Sequence, residues 1–190
     1  MSRLIDRTLW VCTAPGKLVG WLVLPLILFV CMTVFAAKYG MNAFAQWNAY
    51  LPVLGRGITV NTLADAQWYI FALMTVFGGV YAYRDNRHVS VDFFTAGLSD
   101  RARLTLDLLG DLFLLLPFCA VIAWYGYFFA LTAYNSGEGS TYGGLQNRWL
   151  IKACIPLGVG LLGIAAIARI VDSAPKLTGR SPLNQDPDPS

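Results

Sequence analysis

Long apolar runs separated by short polar segments dominate the chain. Residues 18–37 form a run of 20 without a charged side chain, bounded by Lys17 and Lys38. A helix of that length covers about 30 Å, the thickness of the hydrocarbon core of a bilayer. Similar runs follow at 66–83, 112–134 and 153–168. The pattern predicts four transmembrane helices, over residues 18–38, 65–84, 108–135 and 149–170.

Helices satisfy every backbone hydrogen bond within their own segment, as a lipid environment requires. The predicted fold class is therefore an all-α integral membrane protein, with one four-helix domain over residues 1–173. Composition agrees, because 56% of residues are hydrophobic and only 13% are charged, against about a quarter charged in soluble domains. The proline-rich and polar segment 174–190 is predicted to be a disordered tail.

The first apolar run invites comparison with a signal peptide, because basic residues precede it. Its apolar core exceeds the 7–15 residues typical of such peptides, so we predict a retained helix.

The basic residues fall unevenly on the two sides of this topology. One side carries four of them, Lys38, Arg56, Arg148 and Lys152, and the other carries ten, on the terminal segments and the 84–105 loop. Cytoplasmic loops are enriched in Lys and Arg, so both termini are predicted to be cytoplasmic. The formal net charge of +3 is too small to indicate a nucleic-acid partner.

The connectors differ in character. In the outer segment 39–63, Phe44, Trp47 and Leu51 recur at helical spacing, which predicts a short helix lying in the interface. The other outer connector, 135–148, is rich in glycine and predicts a flexible loop. On the inner side, the spacing of Val91, Phe94 and Leu98 predicts an amphipathic interfacial segment between the second and third spans.

The most polar stretch in an oily region is YRDNRHVSVDFF, residues 83–94, which holds the single histidine of the chain. A metal or acid/base site is one interpretation, but the spacing of His88 and the nearby aspartates matches no compact zinc motif. We favour a structural corner, in which Arg84 and Arg87 meet anionic lipid head groups and His88 pairs with Asp92. No enzymatic activity and no cofactor are predicted.

Three charged residues at four-residue spacing begin the third span: Arg103, Asp107 and Asp111. Arg103 and Asp107 form a natural i, i+4 pair, and Ser99 can cap this helix. A cation site at the two aspartates is the alternative.

The interiors of the four runs contain no Asp, Glu, Lys, Arg or His. Carriers and pumps generally place such a residue near the bilayer midplane. The spans contain small residues instead, which allow close helix approach. They serve either packing within the chain or packing against the helices of a partner, and the candidates are Thr75, Gly78, Gly79, Ala82, Gly160, Gly163 and Ala166.

Two motifs carry a family resemblance. One is FGGVYAYRDNRHVSVDFF followed by LSDRARLTLDLLGDLF, with His88, Val89, Val91 and Asp92 in a His-Val-x-Val-Asp pattern. The other is GGLQNRWLIKACIPLG, residues 143–158. Together they resemble the small membrane subunit (DctQ-like, or Q, component) of tripartite ATP-independent periplasmic (TRAP) transporters.

The resemblance implies a non-catalytic subunit of a sodium-coupled secondary transporter in the bacterial inner membrane. Its implied partners are a large multi-span membrane subunit, which it would scaffold, and a periplasmic binding protein that delivers a carboxylate-bearing solute. An independent four-helix carrier or channel is the alternative function.

Overall fold

The computed structural model describes residues 2–84 and 99–177, which are mostly helical. Four helical stretches are long and apolar enough to cross a membrane: Trp10–Tyr39, Val60–Tyr83, Arg101–Asn135 and Trp149–Pro175. The helical four-span fold predicted from the sequence is thereby confirmed. In chain order the elements are α1 (Ser2–Gly20), α2 (Val23–Tyr39), β1 (Ala43–Leu51), β2 (Gly55–Thr59), α3 (Val60–Arg84), α4 (Asp100–Gly110), a π-helical turn (Asp111–Leu115), α5 (Leu116–Asn135) and α6 (Trp149–Leu177).

The spans pack in an order that differs from their order in the chain. Helix α2 packs on α3, α3 packs on α6, and α6 makes its largest contact with α5. Glycines permit two of these approaches. A methyl group added at Gly158 would overlap Val76 of α3, and one added at Gly126 would lie 3.3 Å from Cδ of Pro156.

Helix α1 is an element that the hydrophobic pattern did not predict. It packs against both α3 and α6, and its Cys12 and Thr13 are buried. At Gly16 the two backbones come close, because an added Cβ would lie 2.7 Å from the carbonyl oxygen of Phe77. The helix therefore covers one face of the α3–α6 pair.

Residues 43–59 form a β-hairpin, so the interfacial helix predicted for segment 39–63 is wrong. Strands β1 and β2 pair antiparallel, with Ala43 opposite Thr59 and Leu51 opposite Gly55. Pro52, Gly55 and Gly57 interrupt any helix, whereas a hairpin lets the strands satisfy each other's backbone groups. Gly57 is required for their close approach, since its Cβ would lie 2.6 Å from the Ala45 carbonyl oxygen.

A single π-helical turn, Asp111–Leu115, joins α4 to α5. Its wider hydrogen bonding is visible where the Leu116 N–H bonds to the Asp111 carbonyl oxygen. Such turns contain an extra residue and are frequent at functional sites. This turn places Asp111 inside the protein at 7% exposure, while Leu114 remains 75% exposed.

Helix α6 continues to Leu177, beyond the start of the tail predicted at residue 174. The rest of that tail, and the amphipathic segment predicted around residues 91–98, lie outside the described residues.

Candidate functional site: two polar networks at the ends of the helices

Most of the histidine motif lies outside the described residues, including Arg87, His88 and Asp92. Arg84 is described only as the last residue of α3. The motif does begin at Tyr83, which belongs to a buried polar network at this end of the protein.

This network is called the inner network after the topology predicted from the sequence. It consists of Tyr83 of α3, Asp107 and Asp111 of the third span, and Arg169 of α6. The Tyr83 hydroxyl donates a 2.7 Å hydrogen bond to Asp111 Oδ2. Arg169 Nε lies 3.2 Å from the same carboxylate oxygen, and Arg169 Nη2 lies 3.6 Å from Asp107 Oδ2. The guanidinium group is also 5.0 Å from the centre of the Tyr83 ring.

This arrangement explains how a carboxylate is tolerated among apolar helices. Asp111 is buried, and an unpaired buried charge is strongly destabilising. Arg169 supplies the opposite charge and Tyr83 donates a hydrogen bond, so the negative charge of the carboxylate is compensated. These contacts also connect the ends of three spans. Ala165 and Ala166 pack beside Tyr83 and leave room for this approach.

Part of this network was predicted from the sequence. Asp107 and Asp111 lie on one helix face as expected, and both carboxylates face Arg169. Within residues 2–84 and 99–177, there is no group of three or more His, Cys, Asp or Glu side chains close enough together to hold a metal ion. Ser99 caps α4 by accepting from the Ala102 N–H. The pairing of Arg169 was not predicted, although this basic residue directly follows the fourth apolar run in the sequence.

The second network lies at the opposite end, where the GGLQNR segment, residues 143–148, joins the hairpin to α3. The Leu145 N–H donates to Asp65 Oδ2 at 3.0 Å. The Gln146 N–H donates to the Val53 carbonyl oxygen at 2.8 Å, and the Asn147 side chain donates to the Pro52 carbonyl oxygen. The loop predicted to be flexible is therefore anchored by several hydrogen bonds.

Two residues of this segment depend on their particular backbone. Gly143 has a φ of +72°, a conformation that glycine adopts without steric cost. Gly144 faces Asp65, and any added Cβ would overlap that carboxylate. The motif therefore encodes a tight turn against the first turns of α3.

Ion pairs complete this second network, which is called the outer network after the topology predicted from the sequence. Arg148 lies 3.9 Å from Asp65 and 4.0 Å from Glu138, measured between guanidinium nitrogen and carboxylate oxygen. Lys152 forms a salt bridge with Glu138, and its ammonium group lies 4.0 Å from the centre of the Phe129 ring. These four charged side chains compensate one another at the rim of the helices.

The small residues divide by location. Ala166 is fully buried, and a Cβ added at Gly163 would lie 3.4 Å from Cβ of Cys119, so both residues face other helices of this chain. At Gly78, Gly79 and Gly160 an added Cβ would meet no atom within 4 Å. Thr75 is exposed, and its hydroxyl donates a hydrogen bond to the Phe71 carbonyl oxygen. Ala82 is half-buried.

Comparison with known proteins connects these networks to a family. A search of curated proteins and a search of solved structures each gave no match. The family model described as "Tripartite ATP-independent periplasmic transporters, DctQ component" matches residues 53–176. That region contains Tyr83, Asp111 and Arg169, together with the whole GGLQNR segment. The chain therefore belongs to the DctQ family and is the small membrane subunit of a TRAP transporter.

Proposed function

We propose that this chain is the non-catalytic scaffold of a sodium-coupled TRAP transporter in the bacterial inner membrane. It holds the large membrane subunit, while a periplasmic binding protein delivers a carboxylate-bearing solute. The family match is the observation that carries the proposal. The absence of ionisable residues from the interiors of the four apolar runs supports it, because ion and solute sites then belong to another subunit.

The two networks suit a scaffold because each joins several elements by charged or hydrogen-bonded contacts. The outer network connects the hairpin, α3 and the GGLQNR segment, and the inner one connects α3, the third span and α6. Because the networks hold the ends of the helices together, the exposed surfaces of the helices keep fixed positions relative to one another. In this proposal both termini are cytoplasmic, Arg84 and Arg87 meet anionic lipid head groups, and His88 pairs with Asp92.

Co-expression with the large subunit tests this function. We expect the tagged chain to co-purify with the large subunit, and proteoliposomes to take up the solute only when the large subunit, the binding protein and a sodium gradient are present. Uptake by proteoliposomes containing this chain alone would instead identify an independent carrier or channel.

A further inference from the structure

A concavity of about 690 Å³ lies between the hairpin and the GGLQNR segment. Its lining includes Trp47, Tyr50 and Arg56 from the hairpin and Gln146 from the segment. We call it the hairpin pocket. It lies at the end of the helices opposite the inner network, and the cation–carboxylate pairs of the outer network do not use Arg56.

The walls of the hairpin pocket are held in place. The Trp47 indole N–H donates to the Gly55 carbonyl oxygen at 3.1 Å, which fixes the ring across the hairpin. The bond from the Gln146 N–H to Val53 holds the opposite wall. A pocket that is already formed in the free protein loses little conformational entropy when a partner binds.

This side carries two more cations than carboxylates, Lys38 and Arg56, and of these two Arg56 lies in the pocket. Among the described residues, the carboxylates at this end of the protein are Asp65 and Glu138. Arg148 and Lys152 compensate both. Arg56 is exposed, and among the described residues no carboxylate lies within salt-bridge distance of it.

The composition of the pocket indicates a protein partner. Trp, Tyr and Arg are the residues that most often dominate the binding energy of protein interfaces, and all three line this pocket, with Tyr50 61% exposed. The guanidinium group of arginine binds a carboxylate with two parallel hydrogen bonds. The complementary surface is therefore one that presents an aspartate or glutamate flanked by groups that pack on aromatic rings.

We infer that the hairpin pocket receives an acidic side chain from the surface of the periplasmic binding protein, with Arg56 as its charged anchor. This inference rests on the proposed function, because only that topology places the hairpin in the periplasm. Attraction between Arg56 and the acidic surface would raise the association rate, and the aromatic walls would slow dissociation.

The test uses the complete membrane complex in nanodiscs and the purified binding protein. Arg56→Glu is compared with Lys38→Glu, which makes the same charge change on the same side at an exposed position outside the pocket. We expect Arg56→Glu to weaken binding about tenfold or more, and Lys38→Glu to weaken it by less than about twofold. Arg56→Gln should give an intermediate loss and a shallower dependence on salt.

Three outcomes would overturn the inference. Equal losses for the two reversals would indicate non-specific attraction, and unchanged binding in both Arg56 variants would show that the pocket is not an anchor. An Arg56 effect seen in nanodiscs with phosphatidylglycerol but not in pure phosphatidylcholine would assign the arginine to lipid. Co-purification of the large subunit is measured on the same samples, so failure of the scaffold function is recognised separately.

Discussion

Asp111 has an environment that depends on other parts of the chain. It is buried, and its partners Tyr83 and Arg169 come from two other spans. Removing one member of a buried ion pair costs about 3–5 kcal/mol, because the remaining charge stays in a medium that cannot solvate it. Removing a neutral hydrogen-bond partner costs about 1–3 kcal/mol.

Substitution of Arg169 tests this ranking. We expect Arg169→Ala to destabilise the detergent-solubilised protein by about 3–5 kcal/mol, and Tyr83→Phe by about 1–3 kcal/mol. Asp107→Asn is the control, since the Asp107 side chain is 50% exposed and its ion pair should contribute little. Thermal unfolding followed by tryptophan fluorescence gives the comparison. A larger shift for Asp107→Asn than for Arg169→Ala would contradict this account of the network.

In the outer network, Gly144 is a residue whose surroundings leave no space for a side chain. Gly144→Ala should release the GGLQNR segment from α3, because the new methyl group would overlap the Asp65 carboxylate. Gly137→Ala is a suitable control. Gly137 has a positive φ of 61°, which Gly144 lacks, and its added Cβ meets no atom within 4 Å, so this variant adds backbone strain without the steric overlap. We expect faster amide hydrogen exchange at Leu145 and Gln146 in the Gly144 variant only, and equal exchange in both variants would exclude the steric mechanism.

At the scale of elements, the π-helical turn sets the rotation of α5 relative to α4. Each residue advances a helix by about 100°, so the extra residue lets Asp111 face Arg169 while Gly126 still faces Pro156 of α6. The hairpin shows a second effect of tertiary context. Three apolar residues at helical spacing were outweighed by Pro52, by the glycines of β2 and by pairing between the strands.

Deletion of Leu114 should convert the turn into regular α-helix and rotate one flank against the other by about 100°. Either the Asp111 pair or the contact of α5 with α6 would then be lost, so we expect a marked fall in thermal stability. Leu114→Ala removes the same exposed side chain without changing the register, and it should unfold within a few degrees of the unmodified protein. Matching midpoints for both variants would mean that the extra residue has no role.

At the scale of the whole molecule, the spans leave much apolar surface uncovered. The large side chains exposed on the third span include Phe113, Trp124 and Tyr125. Gly78 and Gly79 also have open space beside them. Under the proposed function, these surfaces would face lipid or the helices of the large subunit.

Gly79→Val separates the two roles of the small residues. Within this chain a Cβ added at Gly79 meets no atom within 4 Å, so the stability of the isolated subunit should change little. If the large subunit packs on this face, co-purification should fall. Gly163→Val is the comparison. It enlarges a buried position beside Cys119 and should destabilise the isolated subunit by about 1–3 kcal/mol. Full co-purification of the Gly79 variant would place the interface elsewhere.

Labelling of introduced cysteines tests the topology, in a background where the four native cysteines are replaced. With cytoplasmic termini, Tyr50→Cys should react with a membrane-impermeant maleimide in spheroplasts, and Arg101→Cys should react only after lysis. The reverse pattern would invert the proposed orientation and remove the basis for a periplasmic hairpin pocket.

The number of spans and their apolar character followed from the sequence by itself, because about 20 apolar residues suffice to cross a bilayer whatever surrounds them. Local rules also located the helix cap at Ser99 and the shared face of Asp107 and Asp111. Tertiary structure decided the pairing of Arg169 with Asp111, the hairpin at 43–59 and the anchoring of the GGLQNR segment. The ion pair and the anchoring depend on contacts between residues far apart in the chain, and the hairpin depends on pairing between its two strands. The apolar periodicity of a single segment carries no information about such pairings.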